Sequence, residues 1–155
     1  MSFNIVINSE DRVSGTTNDA NYFFDWGQLK ECAYRVYFQG ITEASTGGSS
    51  DLSPIFVTDL INNNDLYTSR SSYTGFLGVM EDFYAAAVTD AFSFRSQNSP
   101  IYLEARPNKN IFNIKKLDLS GSSFPTSHDY IIILKFVPVK KQQYKEKELE
   151  KTFYQ

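Results

Sequence analysis

His128 is the one histidine of the chain, and in PTSHDY it is followed directly by Asp129. A histidine oriented by a carboxylate is the arrangement of a general base. Neighbouring residues of an extended segment point to opposite faces, however, so this pair in a polar turn reads as structure. With a single cysteine beside it, Cys32, a metal site of clustered imidazoles and thiolates is excluded by counting. Oxygen ligands recur in DLINNNDL, where Asp59, Asn62, Asn64 and Asp65 have the donors for calcium. The segment lacks the spaced acids, glycine and closing glutamate of an EF-hand, and Asn and Asp are also what turns select. A carboxylate pair for glycoside hydrolysis can be chosen from eighteen acids. Glu104 in IYLEA and Asp118 in KKLDLS are the two best placed on predicted strands, yet nothing in their spacing makes them face each other. STGGSSD lacks the Lys-Ser/Thr ending of a phosphate loop. The residues therefore give no support to an enzyme, and neither catalytic residues, metal nor cofactor are expected.

Aromatic residues are the remaining candidates for binding chemistry. Trp26, Tyr34, Tyr37, Tyr67 and Tyr73 have the ring area to form a stacking platform for sugars or single strands. The simpler reading places half of them in the core and the rest at subunit contacts, where Tyr and Trp are enriched.

Such residues need a scaffold, and the composition says which kind. Aromatic residues reach 15%, nearly all Phe and Tyr, which favours strands over helices. A chain of 155 residues suffices for one core and is short for two, so one domain is expected. No apolar run approaches the length of about 18 to 20 residues that crosses a bilayer, and MSFNIVINSEDR lacks the basic and apolar regions of a signal peptide. A soluble, unexported protein with no membrane span is expected. Cys32, alone, forms no internal disulfide and reads as a small buried apolar residue.

Strand signals recur at short intervals between turn residues, as in a sandwich or barrel. SFNIVIN alternates Phe3, Ile5 and Ile7 on one face, and NYFFDW follows the polar loop. ECAYRVYFQGITE alternates Cys32, Tyr34, Val36 and Phe38 over an unusually long stretch, which implies a central strand. PIFVTDLI begins another segment with Pro54 at its edge. LYTSRSSYTGFLGVM is ambiguous, because Gly75 and Gly78 weaken a strand or mark bulges, and DFYAAAVT reads either way. AFSFR, IYLEA, NIFNIKKLDLS and YIIILKFVPV complete roughly eight to ten strands. The fold class predicted is all-β, a single antiparallel sandwich over residues 1–139.

Residues 140–155 change character to KKQQYKEKELEKTFYQ, good helix formers of mixed charge. Their five lysines and three glutamates give +2, leaving −5 on residues 1–139 from a total of −3. An acidic body argues against a face that tracks nucleic-acid phosphates. The segment reads as a charged arm or short helix, whose Tyr144, Leu149, Phe153 and Tyr154 are apolar groups without a core of their own. These four are the expected contacts to a neighbouring subunit.

Two stretches carry a resemblance. INSEDRVSGTTNDANYFFDW is a strand ending in Asn-Ser, an Asp-Arg pair, Ser-Gly-Thr and an aromatic strand; it resembles the N-terminal segment of single jelly-roll capsid proteins of virophages, polinton-like viruses and some large DNA viruses. Asn8, Ser9, Asp11, Arg12, Gly15 and Thr16 are the matching positions. IYLEARPNKNIFNIKKLDLSG, a polar turn and DYIIILKFVPV are similar to the last strands of such a domain, while residues 45–95 are unanchored. The resemblance implies a jelly-roll capsid subunit of the virion, synthesised in the host cytoplasm: a penton at the vertex, or a minor capsid protein cementing the coat. Its implied partners are other capsid proteins and its own copies, a pentamer in the penton case. Asp11 and Arg12 are then expected to shape the loop. Penton proteins of these viruses commonly carry an extra domain or insertion, for which this chain has little room, so the minor-protein role weighs as much. The competing class is a lectin-like or receptor-binding jelly roll using exposed aromatic residues.

Overall fold

The computed structural model describes residues 1–43, 54–61, 70–79, 92–96, 100–125 and 129–140. These residues form ten strands in two antiparallel sheets, with three single-turn 3₁₀ segments as the helical content. The strands are β1 (Phe3–Asn8), β2 (Ser14–Thr16), β3 (Asp19–Phe23), β4 (Ala33–Glu43), β5 (Ile55–Thr58), β6 (Phe76–Val79), β7 (Phe92–Ser96), β8 (Ile101–Leu103), β9 (Ile111–Leu117) and β10 (Tyr130–Val139).

The first sheet runs β1-β10-β4 and ends in a fourth row made of two pieces. β7 pairs with Gln39–Glu43 and β8 with Tyr34–Val36, so both lie against the one long strand β4. Pro100 stands immediately before β8, where the absence of a backbone N–H suits the start of a strand. The second sheet runs β2-β3-β9-β5-β6. Four pairings are nested: β1 with β10, β3 with β9, β4 with β7 and β8, and β5 with β6.

Alternation drives each sheet to present one apolar face. Tyr34, Val36 and Phe38 of β4 point inward beside Ile132, Leu134 and Phe136 of β10. From the other sheet Tyr22, Phe56, Leu77, Phe112 and Ile114 complete the same cluster. Burying each large side chain contributes about 1.5–3 kcal/mol, and the two sheets are held face to face chiefly by this term. Phe38 meets Phe56 across the layers at 5.9 Å between centroids, and Phe56 meets Tyr130 edge-on at 5.0 Å. A Cβ at Gly78 would come within 2.3 Å of the Phe38 ring, so glycine here is the condition for the sheets to close on that aromatic. At Gly75, φ is +79° and a Cβ would lie 1.9 Å from the Thr58 carbonyl oxygen; its own carbonyl accepts from Thr58 N at 2.8 Å. The two glycines of the ambiguous LYTSRSSYTGFLGVM segment thus mark a turn and a close packing contact.

A smaller cluster sits on the outer face of the second sheet, where Ile55, Val57 and Leu117 pack with Tyr73, Phe76 and Val79. Three sequence expectations shift. The loop after β1 contains a short hairpin, β2–β3. Trp26 leaves the strand for a 3₁₀ turn capped by Asp25, whose side chain accepts from Gly27 N. Cys32 precedes β4 and is half-buried against the core. The 140–155 arm lies outside the described residues, apart from Lys140.

Candidate functional site

The polar loop after β1 folds around Ser9. Asn8 caps a 3₁₀ turn over Ser9–Asp11 by accepting from Glu10 N at 3.0 Å. That turn drives Ser9 inward until it is fully buried. A buried hydroxyl needs partners, and Ser9 finds them at the start of β10. Its Oγ donates to Asp129 Oδ1 at 2.8 Å and accepts from Tyr130 N at 3.0 Å. Arg12 Nη1 donates to the Ser9 carbonyl at 2.9 Å, bending the chain back over the turn. Asp11 is exposed; the backbone N–H accepted by a side chain in this turn goes to Asn8.

Tyr130 continues the network inward. Its hydroxyl lies 2.8 Å from that of Tyr22, on β3 of the opposite sheet. Burial pushes the Tyr130 phenol far above its ordinary range, with the neighbouring Tyr22 adding to it. Burial likewise raises Tyr22, partly offset by its hydrogen bond with Tyr130. Both phenols are held neutral, so this is a polar clasp between sheets, closed to solvent.

Among the described residues, two outer surfaces stand out. On the first sheet, β1 pairs with β10 alone among the described residues, leaving its other backbone edge free there. That strand reads FNIVIN, without the lysine, proline or bulge that blunts an edge. Val6 is 63% exposed and opposes Ile133 of β10, while Ile131, itself 37% exposed, opposes Asn8. On the second sheet, β2, β3 and β9 align Ser14, Asn21 and Asn113 in one cross-strand row. Asn113 Nδ2 donates to Asn21 Oδ1 at 3.2 Å and to Asp19 Oδ1 at 2.7 Å; Asn21 Nδ2 donates to Ser14 Oγ at 3.0 Å. Beside this row Phe23 and Ile111, direct cross-strand partners, are 59% and 53% exposed.

The remaining candidates separate. Trp26 and Tyr34 are core residues: the indole packs on Phe24, Phe112 and Phe136 and donates its Nε1–H to the Lys109 carbonyl at 3.1 Å. No exposed stacking platform includes them. Tyr37 is half-buried, as is Tyr73, whose hydroxyl donates to the Leu119 carbonyl; Tyr67 lies outside the described residues. Neither Glu104 nor Asp118 is on a strand. Glu104 follows β8 in the first sheet, and Asp118 follows β9 in the second. Asp118 organises its own turn, accepting from Ser120 Oγ at 2.6 Å, Ser120 N at 2.9 Å and Ser122 N at 3.0 Å. These bonds, the Ser120 hydroxyl first, hold its carboxyl below the usual range. Asp59 accepts from Asn113 N at 2.8 Å and from Lys109 Nζ, while Asn62, Asn64 and Asp65 lie outside the described residues, as do His128 and the arm residues Tyr144, Leu149, Phe153 and Tyr154. Among the described residues, no helix is long and apolar enough to cross a membrane.

The Ser14–Asn21–Asn113 row escapes sequence reasoning because DANYF and IFNIKK each show one asparagine on a strand, and only the register joins them. Comparison with protein-family models finds no match, and comparison with curated proteins finds none.

Proposed function

We propose that this chain is a structural subunit of a viral capsid, built as a jelly roll and acting through contacts with other coat-protein chains. The observation that carries the reading is the nested pairing. With β2 set aside as an added hairpin arm and β7 and β8 counted as one interrupted strand, eight strands remain. First pairs with last, second with seventh, third with sixth and fourth with fifth. A long antiparallel ribbon folded over on itself gives this order, which is the plan of jelly rolls, a fold used by viral coats and also by lectins. Fold alone does not give function, and two further features support assembly. The edge strand β1 presents unblunted backbone beside the exposed Val6 and Ile131, a surface suited to a neighbouring chain. Three of the six positions that match the capsid resemblance also meet at one structural joint: Asn8 caps the turn, Ser9 ties it to β10, and Arg12 holds the turn's carbonyl.

Residues 140–155 are proposed as an arm that docks on a neighbour through Tyr144, Leu149, Phe153 and Tyr154. The test is the absolute mass in solution, by light scattering, of the full chain and of a chain ending at Val139. A pentamer that dissociates on truncation supports the vertex role with the arm at the contact. An oligomer that survives truncation keeps the subunit reading and removes the arm from it. A monomer in both cases sinks the self-assembling role and leaves the coat-cementing one, to be tested by adding the coat partner.

A further inference from the structure

From the outer face of β2, β3 and β9 we infer a second function: a shallow binding site for a neutral pyranose of a glycan. Ser14, Asn21 and Asn113 stand in one register row, and each amide donates to the next side chain. This fixes the orientation of both carboxamides, on residues that are half-buried beside the exposed Ser14 and Asp19. Asn113 Oδ1 accepts no hydrogen bond among the described residues. Among the described residues Asn21 also keeps one N–H, Ser14 keeps its O–H, and Asp19 accepts through Oδ1 alone. Along the row the groups left over are therefore one acceptor on Asn113 and two donors on Asn21 and Ser14, with a carboxylate at its side.

Sugar hydroxyls both donate and accept, so vicinal hydroxyls can satisfy this mixed set, whereas a phosphate would meet the donors alone. A carboxylate acceptor makes the stronger hydrogen bonds to hydroxyls and disfavours acidic sugars and phosphates. One strand repeat along, about 7 Å away at 3.3–3.4 Å per residue, Phe23 and Ile111 oppose each other with more than half their surface in water. Phe23 offers the apolar ring face on which the C–H face of a pyranose packs. The repeat spacing brings ring and hydrogen-bond row within the span of one sugar. The site uses neither the β1 edge nor the arm, so it stands or falls independently of the capsid reading.

The experiment is an amide-resolved NMR titration of the full chain with free galactose, glucose, mannose and N-acetylglucosamine, each tested separately. At least one is expected to give saturable shifts clustered on β2, β3 and β9, with a dissociation constant in the millimolar range, on the order of −4 kcal/mol. Phe23→Ala and Asn113→Ala should each weaken that binding by about tenfold or more, with the melting temperature of Phe23→Ala unchanged. Absence of clustered shifts with all four sugars overturns the inference. So does binding that Phe23→Ala leaves intact, and so does a change of oligomeric mass in Phe23→Ala without sugar binding, which assigns the shelf to a protein contact.

Discussion

The hydroxyls of Tyr22 and Tyr130 lie 2.8 Å apart inside the core and join one sheet to the other. Each is the other's polar partner in a place where an unpartnered hydroxyl is costly. Tyr22→Phe or Tyr130→Phe alone strands one buried hydroxyl and should cost about 1–3 kcal/mol. The double variant should cost less than the sum of the two. Urea denaturation of the four proteins in the cycle measures this coupling, and strictly additive losses would contradict it.

The same pair makes a prediction about alkaline pH. Both folded-state phenols titrate above the unfolded value. The unfolded chain therefore loses these protons first, near pH 10, and stability falls as pH rises beyond that point. Below it the contribution is fully present. Denaturation midpoints between pH 8 and 11 should drop along the upper part of the range, less steeply in the double phenylalanine variant. Ionisation of both tyrosines near pH 10 in a protein that stays folded, followed by absorbance at 295 nm, would refute this.

Ser9 ties the opening loop to β10 by two hydrogen bonds. Ser9→Ala leaves Tyr130 N and Asp129 without that partner, and a loss of about 1–3 kcal/mol is expected. Arg12→Ala removes one charge-assisted bond to the Ser9 carbonyl and should cost about 1 kcal/mol together with some assembly. An Arg12→Ala protein that melts and assembles like the parent rules out its loop-shaping role.

Gly78 faces the ring of Phe38. Gly78→Ala overfills the space between the sheets and should destabilise by about 1–3 kcal/mol. Adding Phe38→Leu should recover part of the loss, because it removes Cε1 and the rigid ring and leaves a branched side chain that can turn its methyl groups away from the new one. Thermal melts of the single and double variants decide this.

Alternation made β1 and β4 legible from the residues alone, since their apolar positions recur every second residue and one face of each is buried, while β10 was legible as an apolar run whose alternating burial only the fold supplies. The length of β4 pointed to its central place for the same reason: an eleven-residue strand has room for neighbours along both edges. NIFNIKKLDLS shows where the pattern stops being informative. Lys115 and Lys116 are chemically equal, yet the pleat exposes the first and buries the second, with its Nζ 4.7 Å from the Phe124 ring centroid. Trp26 and Tyr34 could not be assigned to surface or core by type, because aromatic residues serve both. The hydrogen-bonded row across β2, β3 and β9 depends on long-range register, which local sequence does not encode. Ser9 stands within the motif, but its burial follows from a 3₁₀ turn and a partner 120 positions away.

Self-assembly, in the capsid-subunit reading proposed above, runs through the first sheet and its β1 edge. The most direct measurement is the absolute mass, by light scattering, of the parent and of Val6→Asp at matched concentration. Val6 is 63% exposed, so the charge should leave the fold and its melting temperature intact while disrupting the contact. An oligomeric parent and a monomeric, normally melting Val6→Asp are predicted. A parent and variant of the same mass, whether both are monomers or both are oligomers, would contradict self-assembly through the β1 edge.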